Sequence, residues 1–186
     1  MTPFNAITPG DFIDADALAL VIESFAGFYH NVTPKHQKRS RLSIIGGEEH
    51  LQMISDLRNK HELGDALVIL TAEDEEAIRE LYKEADVLFM PVKKMIGKVI
   101  PEALSFGLPI LCYDTEDLRE ELDHTCGMFV TPYKMINHCI DEFTEKINML
   151  YFDPEVRKIL SKGAFKKYKD CYEWGRSEVM MAAVAN

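Results

Sequence analysis

The stretch Ala85–Ile110, ADVLFMPVKKMIGKVIPEALSFGLPI, decides the fold. Ala85–Met90 is a short apolar run, and Pro91, which has no N–H for a ladder, stops it. A loop carrying Lys93, Lys94 and Lys98 follows. Ile100–Ser105 then reads as a short helix, Gly107 closes it, and Pro109–Tyr113 is a second apolar run. Two strands with a helix between them are joined by a crossover, which makes them parallel.

The same alternation extends outward on both sides. Upstream, Phe4–Ile7 is an apolar run closed by the turn signal Thr8-Pro9-Gly10. From Asp16 the spacing of Leu18, Val21, Ile22, Phe25 and Phe28 predicts an amphipathic helix, capped by Asp14 or Asp16. Leu42–Ile45 is a strand ended by Gly46-Gly47, and Glu48–His61 a helix with Leu51, Ile54 and Leu57 inward. Leu67–Leu70 is a further strand, and Thr71–Glu84 a helix with Ile78, Leu81 and Tyr82 on one face. Downstream, Met128–Val130 is a brief sixth strand, followed by helices at Asn137–Tyr151, Pro154–Asp170 and Trp174–Ala185. The prediction is an α/β, Rossmann-like three-layer sandwich: one domain with a parallel sheet of about six strands, a core over 4–170 and a terminal helix or tail over 171–186. In such a sheet ligands bind beyond the carboxyl ends of the strands, at Thr8–Asp14, Gly46–Glu48, Thr71–Asp74 and Pro91–Val99.

Composition narrows the function classes. Lys and Arg total 21 against 31 Asp and Glu, a net charge of −10 over 186 residues, which argues against nucleic acid or an anionic membrane as partner. No apolar stretch approaches the roughly 20 residues of a membrane span, and Met1–Phe12 is no signal peptide. Cys112, Cys126, Cys139 and Cys171 form no CxxC pair, so reduced thiols in the cytoplasm are expected. Asp14-Ala15-Asp16 has a metal-binding spacing, but its place at a helix start makes it a cap. His124-x-Cys126 and His138-Cys139 lack usual zinc spacings, and Asn31-Val32-Thr33 fits a glycosylation pattern with no sign of secretion beside it. No order or spacing supports a nucleophilic triad.

Several residues of the deciding stretch stand in one register: Ala85-Asp86-Val87, Pro91, Gly97, Glu102-Ala103, Gly107 and Pro109. Together with Ile45-Gly46-Gly47 and with Tyr82 ahead of Ala85, this resembles the donor-binding, C-terminal half of the GT-B glycosyltransferases, in particular the large retaining family four, or group 1. The resemblance runs from about Phe4 to about Trp174. It implies a site for a nucleoside-diphosphate sugar, with Glu102 on the ribose hydroxyls, a task suited to a carboxylate that accepts two hydrogen bonds at once. It also implies that the backbone of Met95, Ile96, Gly97, Lys98 and Val99 meets the donor sugar and diphosphate, and that Gly46-Gly47 admits the donor. The whole enzyme would be a retaining hexosyltransferase in polysaccharide biosynthesis, acting on a glycan or lipid-linked acceptor and needing no metal cofactor.

The chain also departs from that pattern. The carboxylate expected eight residues before Glu102 is Lys94, which cannot accept a hydrogen bond. Met1–Pro34 contains no Lys or Arg, where the family places an Arg and a Lys against the diphosphate. Asp11, Asp14 and Asp16 stand there instead, with Asp16 about where the Lys belongs. Lys93, Lys94 and Lys98 are the replacement cations, with Lys94 and Lys98 on phosphate. The acceptor-binding half would lie in a missing N-terminal domain or a partner chain, and any peripheral contact with the inner face of a membrane would be made through it. The stretch at Glu173-Trp174 would cross back onto that half, leaving Val179, Met180 and Met181 exposed without it. Two other readings stand beside this one: a degenerate, non-catalytic binding or assembly domain of the same family, and a sugar-nucleotide epimerase of GT-B shape.

Overall fold

Strands that are apolar at successive positions need cover on both faces. The computed structural model, which describes residues 3–71, 73, 75–94 and 97–173, shows that cover. β1 (Phe4–Pro9), β2 (Ser40–Ile45), β3 (Leu67–Leu70), β4 (Val87–Phe89), β5 (Ile110–Tyr113) and β6 (Gly127–Val130) form one sheet. Every pairing is parallel, in the order β3-β2-β1-β4-β5-β6. The winding direction reverses between β1 and β4, which opens a crevice beyond their carboxyl ends.

Helices α1 (Ala15–Asn31), α3 (Leu51–Lys60) and α7 (Ile136–Phe152) pack together, as do α5 (Val99–Ser105) and α8 (Pro154–Tyr168). Between them α4 (Glu75–Glu84) leans on the second group through Tyr82, whose ring lies 5.5 Å from that of Phe106. Phe4, Phe25, Phe28 and Phe143 are fully buried, and each contributes roughly 2–3 kcal/mol by leaving water. Close approach of α1 to α7 requires Gly27: a Cβ there would stand 2.8 Å from Thr144 Oγ1, which donates to the Ser24 carbonyl at 3.0 Å.

Asp86 of the Ala-Asp-Val triplet lies at the amino end of β4, away from the crevice. Its carboxylate accepts from the Asn5 amide at 2.9 Å and pairs with Arg157 Nε at 3.1 Å. Arg157 also donates to the carbonyls of Leu150 and Tyr151, so one side chain ties β1, β4, α7 and α8 together. Burial pushes the Asp86 carboxyl up, against the opposing pull of the Asn5 amide and Arg157.

Most element boundaries agree with the sequence pattern, and the differences have local causes. Asp14, not Asp16, caps α1, accepting from the Ala17 amide at 2.8 Å. A tight 3₁₀ turn at Glu48–His50 precedes α3, so the helix starts at Leu51 rather than at Glu48. Leu51, expected inward, is the first residue of the helix and is 45% exposed, while Ile54 one turn later is fully buried. Helix α4 begins at Glu75 rather than at Thr71, and β4 is shorter than Ala85–Met90. Two short helices, α2 (Pro34–Gln37) and α6 (Glu116–Glu121), were not expected; both are too short to show a period. Tyr168 ends α8 and a wider turn runs over Lys169–Glu173; the expected helix at Trp174–Ala185 lies outside the described residues.

Candidate functional site

The loops after β1 and β4 and the inner face of α4 enclose a cleft of 540 Å³ at the switch of winding. That volume suits a small organic ligand, for which pockets of roughly 300–1,000 Å³ are usual. Its apolar lining comes from Pro9 and Phe12 on the first loop, Ile45 at the end of β2, Ile78 on α4 and Val99 on α5. Its charges are Asp11, Glu75 and Glu102 against Arg79 and Lys98.

Glu102 sits in the first turn of α5, where its backbone N–H bonds to the Lys98 carbonyl at 2.9 Å. Its carboxylate faces the cleft beside Tyr82, a phenol only 4% exposed. Burial first, and then the charge of Glu102, hold Tyr82 well above the ordinary phenol range, so it stays a neutral hydroxyl there. Lys98 immediately precedes α5 with an exposed ammonium, and Gly97 before it has φ +53°, a conformation open to glycine at little cost. Opposite them Arg79 projects from α4, three residues before Tyr82 and so on the same helical face. Arg79 forms no ion pair among the described residues.

Lys98, Val99 and Glu102 thus meet in one cleft, as the sequence pattern implies. Lys93 and Lys94 stand exposed on the loop but outside the lining, and the Lys93 carbonyl accepts from Thr115 Oγ1 at 2.8 Å. Met95 and Ile96 lie outside the described residues. Gly46 and Gly47 do adopt positive φ, at 73° and 79°, yet neither lines the cleft. The Gly46 N–H bonds to the Leu70 carbonyl at 2.8 Å, and the Gly47 N–H to Asp11 Oδ1 at 2.5 Å. The first loop packs down on this turn, since a Cβ on Gly10 would stand 3.0 Å from Gly47 Cα. Arg79 was not singled out by the sequence; the only signal for it is its place on the Tyr82 face of α4.

Among the described residues no three His, Cys, Asp or Glu side chains could share a metal ion. The thiols of Cys126 and Cys139 approach backbone carbonyls, of Asp123 at 3.4 Å and of Tyr133 at 3.7 Å. Burial pushes the Cys112 thiol up to about 12, which keeps it protonated and unreactive. No described helix is long and apolar enough to cross a membrane.

Residues 3–167 match the family model of the glycosyl transferases, group 1. Among solved structures, the pneumococcal O-GlcNAc transferase GtfA in complex with UDP and GlcNAc is similar at a TM-score of 0.79 and 14% identity. That match covers 99% of this chain and 36% of GtfA. Anabaena HepE in complex with UDP and glucose is similar at 0.76 and 14% identity, over 99% of this chain and 48% of HepE. The C-terminal domain of LpcC, a group 1 family protein from Francisella tularensis, is similar at 0.72 and 15% identity, over 92% of this chain and 88% of that domain. This chain therefore spans about a third to a half of the longer proteins it resembles. No curated protein matches it in sequence. With its family model covering nearly the whole described fold, the chain belongs to the group 1 glycosyl transferases and has the Rossmann-like fold of a GT-B C-terminal half.

Proposed function

We propose that the cleft binds a nucleoside-diphosphate sugar as the donor for transfer of a hexosyl unit, with retention, to a glycan or lipid-linked acceptor. One observation carries this reading: Glu102, Tyr82, Lys98 and Arg79 converge on a single cleft at the β1/β4 switch. Glu102 would accept from both ribose hydroxyls, and the protonated Tyr82 beneath it offers a further donor. Lys98 and Arg79 supply the two positive charges of the lining, and they would stabilise the negative charge that builds on the departing diphosphate. Phe12, Ile45 and Ile78 offer the apolar surface that a base requires. No metal takes part in this reading. The acceptor half would come from elsewhere in the same protein or from a partner chain. Its place would be the cytoplasm, at the inner face of a membrane where the acceptor is lipid-linked.

Two of the similar structures were solved as complexes with UDP, so UDP is the first nucleotide to try, followed by GDP and ADP. Calorimetric titration of the wild type and of Glu102→Ala is the test. The variant should bind the preferred nucleotide at least about tenfold more weakly, the loss of roughly 1.4 kcal/mol of ribose contact. Its melting temperature should stay the same, because Glu102 is exposed. Equal affinity in the two proteins would overturn the assignment of Glu102 to the ribose. A non-catalytic binding domain of the same family is the second reading, favoured by Asp11, which puts a carboxylate into the cleft that a diphosphate would enter.

A further inference from the structure

We propose that the Asp11 carboxylate is an internal anion that already occupies the Gly46–Gly47 turn beside the cleft, so that Asp11 sets how tightly a diphosphate binds. The inference rests on the reading that this cleft takes a nucleoside diphosphate.

Gly46 and Gly47, which follow β2, both have positive φ, and a tight turn of this kind presents backbone N–H groups that an anion can accept. The Gly46 N–H is used within the sheet on the Leu70 carbonyl, which leaves the Gly47 N–H. Asp11 Oδ1 takes it at 2.5 Å. The carboxylate fills the hollow as well as the bond: a Cβ on Gly46 would fall 2.1 Å from Asp11 Oδ2. Glycine at 46 is favoured by its positive φ, and a side chain there would also push the Asp11 carboxylate out of its place.

Asp11 is exposed and lines the cleft itself, so the contact borders the space a ligand would enter. Among the described residues it forms no ion pair with Lys, Arg or His. The Gly47 N–H is the hydrogen-bond partner that holds this carboxylate at the border of the cleft. Glu48 and Glu49, in the turn that follows Gly47, carry the same sign. The positive charges, Lys98 and Arg79, come from α4 and the start of α5 instead. An incoming diphosphate either displaces Asp11 from Gly47 or rests on Lys98 and Arg79 under repulsion from Asp11.

The test uses inorganic pyrophosphate as the probe, followed by the amide resonances of Gly47, Lys98 and Glu102 in the wild type, Asp11→Asn and Asp11→Ala. Asp11→Asn keeps the shape and an acceptor oxygen while removing the charge, and it carries the test if Asp11→Ala does not give a folded spectrum. Half-saturation by pyrophosphate should fall at least about tenfold in Asp11→Ala and by an intermediate factor in Asp11→Asn, with Gly47 shifting on binding only in the variants. Unchanged or weaker pyrophosphate binding in both folded variants would overturn the inference and make Asp11 a staple of the first loop. UDP, GDP and ADP then separate this from the donor reading. If pyrophosphate gains the predicted factor but no nucleotide binds better than pyrophosphate, Asp11 keeps its role and the nucleotide site falls.

Discussion

At the scale of single residues, two carboxylates serve opposite ends of the sheet. Asp86 is 20% exposed and Arg157 14%, so the pair is largely withdrawn from water at the amino end of β4. Removing the carboxylate by Asp86→Ala strands a mostly buried guanidinium and should lower stability by ~3 kcal/mol, read as a reduced urea midpoint at unchanged slope. The pH dependence has a definite sign. Because burial raises the Asp86 carboxyl in the folded state, the folded protein holds that proton more tightly than the unfolded chain. Its contribution is present below the unfolded value, near about 3.9, and is lost as pH rises through the raised folded value. Wild type should therefore lose stability relative to Asp86→Asn over that interval, and a wild type that gains stability over Asp86→Asn as pH rises would contradict the assignment. The triplet that marks the family in sequence is thus, at its Asp, an architectural joint, whereas Glu102 at the far end faces the cleft.

At the scale of elements, helix α1 shows local preference yielding to packing. Glycine in mid-helix costs about 1 kcal/mol relative to alanine, yet Gly27 stands where α1 meets α7. Gly27→Ala regains that propensity but pushes a methyl to 2.8 Å from Thr144 Oγ1, and overpacking of this kind costs ~1–3 kcal/mol. The single variant should be destabilised, and the same change in a Thr144→Ala background should stabilise, because the obstacle is gone while the propensity gain remains. Denaturant midpoints of the four proteins of this cycle decide it; equal effects in both backgrounds would contradict the packing argument. The period of α1, the apolar runs of the six strands and the glycines at 46 and 107 were all legible in sequence, because each is set by local spacing or backbone conformation. Leu51 does not share the inward face of α3 with Ile54, because the tight turn at Glu48–His50 makes it the exposed first residue of the helix. The short helices α2 and α6 left no period to read.

At the scale of the whole molecule, the strand order puts residues far apart in sequence around one crevice: Asp11 after β1, Arg79 on α4, and Lys98 and Glu102 after β4. Lys98 and Glu102 could be singled out because their spacing within Ala85–Ile110 belongs to a recognisable pattern. Arg79 could not, since an exposed arginine on an amphipathic helix reads like any solvated charge until the fold brings its face to the cleft. Nor could the occupation of the Gly46–Gly47 turn, which depends on a carboxylate 36 residues earlier. The cleft's two cations, Arg79 and Lys98, lie on α4 and at the start of α5 among Glu75 and Glu102, while the first loop offers only a carboxylate, an arrangement that directs phosphate toward Arg79 and Lys98 rather than toward the first loop. The most direct measurement is titration of this chain with UDP, GDP and ADP, followed residue by residue through its amide resonances. Saturable binding of one nucleotide, with shifts concentrated at Arg79, Tyr82, Lys98 and Glu102, is the predicted result. Shifts concentrated away from these residues, or no saturation at millimolar nucleotide in both the wild type and Asp11→Ala, would contradict the account.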